Sequence, residues 1–300
     1  MEEIRHHPVL LEEVLETLHC RPGRVYADGT VGAGGHSRGV LERSSPSGRL
    51  IGLDWDEEAL ERARKTLSPF AGRFELRRAN YRDCRSVLES LSISGVDGVL
   101  LDLGVSSEQL ESRERGFSFR WDAPLDMRMS QETMTTAQEL IRKLSAAELE
   151  RLLRELGEER WARRIARNIV RARQKAPLRT TRELIEVIER SVPPRRRGIH
   201  PATRTFQALR IAVNEELNNL KAFLGDAPDL LNSGGRLCII SYHSLEDRIV
   251  KNHFREWARG EGRKTPSFAL LTPKPVVPSG EEVSRNPRAR SAKMRAVAKL

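Results

Sequence analysis

The sequence has little cysteine, and what it has is scattered: Cys20, Cys84 and Cys238. An odd number at such separations makes neither a disulfide framework nor a Cys-rich zinc site, so all three read as core or near-core residues. No apolar run approaches the ~20 residues of a membrane span. The first residues are acids and histidines rather than a basic stretch followed by an apolar one, which reads against a secretory signal. Hydrophobic residues make up 38% and charged residues 31% of 300 positions. Aliphatic runs still recur often enough for a core, and the length suits two domains. The expectation is a soluble cytoplasmic protein.

Acid is missing over one long stretch. From Arg160 to Arg182 there is no Asp or Glu, while Arg160, Arg163, Arg164, Arg167, Arg171, Arg173, Lys175, Arg179 and Arg182 all fall there. Trp161, Ile165 and Ile169 recur at helical spacing as an apolar stripe. Arg160, Arg164, Arg167 and Arg171 then share another face as a row of cations. A solvated helix normally mixes signs, and only Glu155 and Glu159 lie near enough to serve. With a net charge of +10, a polyanionic partner is expected, nucleic acid first, with a plain solvated face as the alternative.

What is present most distinctively is a glycine loop, Asp28-Gly29-Thr30-Val31-Gly32-Ala33-Gly34-Gly35-His36-Ser37. A short β-prone run, Arg24 to Ala27, precedes it, and Ser37 to Glu42 reads as a helix start. A second strand, Arg49 to Leu53, ends in Asp54, whose carboxylate can accept hydrogen bonds from both hydroxyls of a ribose. A nucleoside-bearing cofactor across the carboxyl ends of a parallel sheet follows. The dinucleotide fingerprint wants Gly or Ala where Ser37 stands. Asp28 would also oppose a diphosphate. Both features suit S-adenosylmethionine, which carries a sulfonium, an amine and a ribose but no phosphate.

The order of elements extends that reading. Pro8 to Leu18 forms an amphipathic helix, and Arg24–Ala27, Ser37–Arg43, Arg49–Leu53, Glu57–Leu67, Phe74–Arg77 and Arg82–Leu91 alternate strand with helix. A fourth strand runs from Val96 to Leu101 and ends at Asp102. This alternation makes an α/β fold with a doubly wound, mostly parallel sheet. From Glu108 to about Pro201 the periodicity is mostly helical, with no convincing strand. Ser145-Ala146-Ala147-Glu148 is a capping box opening a helix that Gly157 could close. Thr180-Thr181-Arg182-Glu183 opens another, ended by Val192-Pro193-Pro194, and Arg195-Arg196-Arg197-Gly198 is a basic loop. A long helix from about Thr203 to Leu224 leads to a strand at Gly235–Ile240. The expected organisation is a sheet domain over 1–107 and 203–300, with an inserted all-helical domain over 108–202 that holds substrate.

Several blocks then carry a family resemblance: Asp28–Ser37, Leu101–Leu110, Arg115–Phe119, Pro124–Met129, His200–Arg210, Ser241–Arg248 and Asn286–Lys293. From His6 onward, in this order, the chain resembles the ribosomal RNA small-subunit methyltransferase H family, also called MraW. The resemblance implies a Rossmann-like class I methyltransferase sheet and methyl transfer from S-adenosylmethionine to the N4 of a cytidine in the decoding region of 16S rRNA. It implies cofactor positions at Gly34, Gly35, His36, Asp54, Tyr81, Asp102 and Gln109. The partner is then 16S rRNA or the small ribosomal subunit, with monomer and homodimer both open.

Cytosine N4 is a poor nucleophile, and an acceptor beside it can hold its hydrogens and favour a pyramidal nitrogen. Many amino-methyltransferases place Asp or Asn, then Pro-Pro-aromatic, after the fourth strand. Here Asp102 stands in that place but is followed by Leu103-Gly104-Val105. Asp102 can therefore orient the base or bind cofactor. A stacking residue must come from elsewhere: Tyr242 at the end of the fifth strand, or Phe117, Phe119 and Trp121, of which the phenylalanines serve equally as core anchors. Ser244 reads as a helix cap with Asp247, and His36 and His200 are too isolated for a metal site, so no metal is expected. Three other classes compete. A nicotinamide dehydrogenase conflicts with Asp28 and Ser37, a non-catalytic RNA binder leaves the glycine loop unused, and a protein or small-molecule methyltransferase leaves the charge unexplained.

Overall fold

A computed structural model describes residues 8–193, 199–260 and 267–300. The basic loop Arg195-Arg196-Arg197-Gly198 lies outside them. The chain divides into two compact units, 1–104 with 217–300, and 105–216. The second boundary therefore falls fourteen residues later than the expected 202, after a helix rather than before it.

The first unit begins with α1 (Leu11–Leu18), β1 (Val25–Asp28), α2 (Gly35–Arg43), β2 (Arg49–Asp54), α3 (Glu57–Leu67), β3 (Phe74–Arg78), α4 (Cys84–Ser90) and β4 (Val96–Asp102). Each alternation expected from the pattern is realised, with ends shifted by a few residues. The helical unit follows with α5 (Ser107–Glu111), α6 (Ala137–Lys143), α7 (Ala146–Gly157), α8 (Ala162–Lys175), α9 (Thr181–Ser191) and α10 (Thr203–Asn214). The chain closes with α11 (Glu216–Leu230), β5 (Leu231–Ser241), α12 (Ser244–Arg259), β6 (Phe268–Leu270), α13 (Gly280–Arg285) and β7 (Lys293–Lys299).

The seven strands lie in the order β3-β2-β1-β4-β5-β7-β6, and every pairing is parallel except those of β7 with β5 and β6. Strand order reverses between β1 and β4, the place where a doubly wound sheet opens a crevice at its carboxyl ends. Both faces are covered, which is why the strands read as apolar runs rather than alternating ones. Ile51, Leu53, Val99, Leu101, Leu237 and Ile239 face a core shared with Leu88, Phe223, Leu224, Val250 and Phe254. Leu50, Leu100, Cys238 and Ile240 face the other way, onto Leu15, Leu18, Val40 and Leu41. Cys84 and Cys238 are buried, Cys20 is half-buried, and all three are free thiols.

In the helical unit the capping boxes at Ser145 and Thr180 both form. Gly157 is not the cap of α7. It is the last helical residue, and Glu158 takes the left-handed cap at φ 46°. A Cβ on Gly157 would come within 2.5 Å of the Arg204 carbonyl, so glycine is there to let α10 approach. The long helix expected from Thr203 breaks at Glu215, whose φ is 50°. Buried Asn214 stands at that break, accepting from the Met129 N–H (2.8 Å) and donating to the Met127 carbonyl (2.8 Å). Those bonds tie the end of α10 to the 127–129 segment, and periodicity alone cannot show them. α12 is capped by His243 rather than Ser244, its ring Nδ1 accepting from the Glu246 N–H at 3.5 Å.

Candidate active site

The glycine loop is held by the strand tips beneath it. The Gly29 N–H donates to the Leu100 carbonyl and the Val31 N–H to that of Leu53, each at 2.9 Å. Gly34 caps α2 with φ 86°, a conformation that L side chains resist. Beyond this loop a Cβ on Gly32 would meet only the loop's own Thr30 carbonyl, at 3.9 Å, so the space ahead of it is open.

Three strands end in an acid, and each acid has a different task. Asp28 is buried, its carboxylate accepting from Ser37 Oγ at 2.7 Å and from the Thr30 N–H at 3.1 Å. Burial raises its pKa above the carboxylate range, a shift opposed by the Ser37 bond. Asp28 thus ties the loop to α2, an internal role that the charge argument against a diphosphate did not foresee. Asp54 accepts from the Gly32 N–H on one oxygen and from the Asp56 N–H on the other, both at 2.9 Å. Burial pushes its carboxyl up to about 6. A carboxylate oxygen has two lone pairs, so each retains capacity for a ligand hydroxyl.

Asp102 ends β4. Its N–H donates to Thr30 Oγ1 at 2.6 Å, and Tyr242 Oη donates to its Oδ1 at 2.8 Å. Burial, then the Asp102 charge, keeps the Tyr242 hydroxyl well above the phenol range, so it remains a donor at neutral pH. Tyr242, expected as a stacking surface, is held through its hydroxyl to Asp102. The buried His36 ring places Nε2 2.9 Å from the Val9 carbonyl, which assigns the proton to that nitrogen. Its Nδ1 lies 3.7 Å from Asp102 Oδ2, beyond hydrogen-bond range. Thr30 was not singled out in the sequence, although an Asp-x-Thr turn was there to be read, and Ser37 was read only as a departure from the dinucleotide fingerprint.

Gly34 and Gly35 sit at the start of α2, packed so that added Cβ atoms would meet Ala63 Cα at 3.3 Å and Pro8 Cγ at 2.5 Å. Tyr81 lies in the turn after β3, its ring edge-on to Phe223 at 6.0 Å. The sheet unit therefore brings Gly34, Gly35, His36, Asp54, Tyr81, Asp102 and Tyr242 to the carboxyl ends of its strands. Gln109 belongs to the helical unit, where its side chain closes the capping box of α5 by accepting from the Ser106 N–H at 3.0 Å.

The arginine row also belongs to the helical unit. α8 buries Ala162, Ile165, Ala166 and Ile169. Arg163, Arg164, Arg167 and Arg171 are exposed, and none forms an ion pair among the described residues. Arg160 stands in the turn ahead of the helix, its guanidinium 5.6 Å from the Trp161 ring centroid. Glu159 pairs with none of them: it accepts from the Trp161 N–H at 2.8 Å. Of the aromatic candidates, Phe117 is core and Phe119 stacks on His200 with ring centroids 4.6 Å apart.

A family model described as the MraW methylase family matches residues 3–300. A protein named ribosomal RNA small subunit methyltransferase H from Geobacter sulfurreducens is 52% identical, across 98% of this chain and 99% of its own. One of the same name from Symbiobacterium thermophilum is 51% identical, across 98% and 96%. A third, from Heliobacterium modesticaldum, is 50% identical, across 98% of both chains. Matches of this length account for both units together, and the chain belongs to the MraW methylase family.

Proposed function

We propose that this chain methylates the N4 amine of a cytidine in the decoding region of 16S rRNA. The observation that carries the reading is the end-to-end relation to chains named ribosomal RNA small subunit methyltransferase H. The methyl donor is S-adenosylmethionine. The residues present fit it. Asp54 offers two acceptor oxygens for ribose hydroxyls, the loop leaves open space ahead of Gly32, and β1, β2 and β4 each end in an acid. Gly34, Gly35, His36, Asp54, Tyr81 and Asp102 of the sheet unit would hold it. Bound there, it supplies a methyl group already activated on a positively charged sulfur.

The chain's own contribution is orientation. A carboxylate at Asp102 accepts the hydrogens of the cytosine amine and favours a pyramidal nitrogen. The Tyr242 bond keeps that carboxylate from rotating away, so alignment supplies much of the rate. The same carboxylate can instead serve the cofactor. Arg160, Arg164, Arg167 and Arg171 bind RNA phosphates. Mass-spectrometric nucleoside mapping of 16S rRNA from cells with and without this protein tests the reading. N4-methylcytidine should vanish from the decoding region without it, and an unchanged map overturns it. Methylation of free 16S rRNA against small subunits then identifies the true substrate.

A further inference from the structure

Of the four tryptophans, three are half-buried and one, Trp121, is exposed, with 43% of its surface open. It stands at the end of a segment that passes from core to surface. Phe117 is buried, and Phe119 is spent inside the unit, stacked on His200 and edge-on to Phe206. Trp121 has instead a guanidinium over its ring, that of Arg113, 4.3 Å from the centroid. Arg113 is itself exposed and forms no ion pair among the described residues. The neighbouring acid, Asp122, is engaged by the Arg182 N–H at 3.2 Å.

The backbone under this ring is firmly tied. The Trp121 carbonyl accepts from Thr181 Oγ1 at 2.8 Å, and that hydroxyl in turn accepts from the Ala123 N–H at 3.1 Å. The Thr181 N–H donates back to the Ala123 carbonyl at 2.8 Å, and the Leu125 N–H to that of Arg179 at 2.9 Å. An indole left in water on so well-held a segment gains nothing from burial, and its position costs little further ordering when a planar ligand arrives.

We infer that Trp121 and Arg113 form a stacking platform for an unpaired base of the RNA substrate, distinct from the arginine row of α8. This rests on the rRNA reading above and extends it to a base contact. Unpaired bases stack on aromatic rings and on guanidinium planes, and every base has a π-face to offer. Arg113 additionally presents donors suited to a phosphate oxygen. The exposed cations on the same unit, Arg120 and the α8 row, make a polyanion the complementary occupant.

The test compares two fluorescent single-stranded probes of equal length and charge, a base-bearing RNA and its abasic counterpart, against the full-length protein. Wild type should prefer the base-bearing probe. Trp121→Ala should weaken that binding about tenfold, the scale of one base–aromatic stack, and leave abasic binding and the salt slope unchanged. Trp121→Phe should restore most of the loss, which a folding defect would not allow. Arg113→Gln should weaken both probes and flatten the salt slope by about one contact. Wild-type affinity in Trp121→Ala, or equal loss on both probes, overturns the platform. If wild type binds neither probe and leaves rRNA unmethylated, the rRNA reading fails with it. Intact rRNA methylation with no base preference overturns the platform alone and leaves Trp121 to a protein surface.

Discussion

At the residue scale, Asp54 is the most exposed to pH. Ribose hydroxyls are donors and need a charged carboxylate, yet in the ligand-free protein burial holds this group up to about 6. Affinity for 5′-methylthioadenosine, which keeps the ribose but has no amine of its own to titrate, should be flat above neutrality. Below about pH 6 it should fall, approaching tenfold per pH unit, as protonation removes an acceptor. Calorimetry across pH 5 to 8 measures this. Asp54→Ala should lose about 1–3 kcal/mol and flatten the profile, and a wild-type profile in that variant removes Asp54 from the site. The second residue pair is Tyr242 and Asp102, joined at 2.8 Å. Tyr242→Phe deletes one donor to a charged group and should slow single-turnover methyl transfer roughly 10–100-fold at saturating cofactor. Asp102→Asn divides the two roles of that acid: a rate that saturating cofactor restores assigns it to cofactor, and one that stays low assigns it to the base.

At the scale of elements, α8 shows what periodicity can and cannot say. Its buried stripe of Ile165 and Ile169 was legible because one face of a helix repeats every three or four residues. The opposite face was legible as cations, but only the structure shows that Arg164 and Arg171 stand exposed without carboxylate partners among the described residues. Replacing Arg164, Arg167 and Arg171 with Gln should weaken RNA binding and reduce the slope of log affinity against log salt by about 2–3, since each phosphate contact releases counterions. Cofactor affinity should not change. A slope equal to that of wild type would return these arginines to a plain solvated face. The capping boxes at Ser145 and Thr180 were equally legible, being local hydrogen bonds across three residues. The role of Gly157 was not, because the carbonyl it accommodates, that of Arg204, belongs to a helix far along the chain.

For the whole molecule, the raised acids set a pH dependence of stability. Asp28 and Asp54 hold protons in the folded chain that the unfolded chain releases near 3.8, the ordinary value of an aspartate. Their contribution to stability is therefore fully present below that value and is lost as pH rises through the folded values, about 6 for Asp54. A ligand that binds the charged form of Asp54 works in the opposite sense. The rise in melting temperature on adding S-adenosylhomocysteine should be larger at pH 7.5 than at pH 5. Thermal denaturation with and without this ligand at both pH values measures it, and equal rises would contradict the linkage.

By itself the sequence determined the alternation of strands and helices through β4, the glycine loop, the acids at three strand ends and the capped helices α7 and α9. All of these rest on spacing within a few residues, where backbone geometry dictates the repeat. Only the tertiary structure decided how distant segments meet. It placed antiparallel β7 between β5 and β6, strands whose short runs carry no sign of their partners. It joined the Tyr242 hydroxyl, as a hydrogen-bond donor, to an acid 140 residues away. It left Phe117 inside and Trp121 outside, a choice that alternation leaves open because burial is set by what packs against a segment. It also ended α10 at Glu215, where no glycine or proline marks a stop. Side-chain bonds from Asn214 to the 127–129 segment stand at that break, and such contacts exist only once the chain has folded.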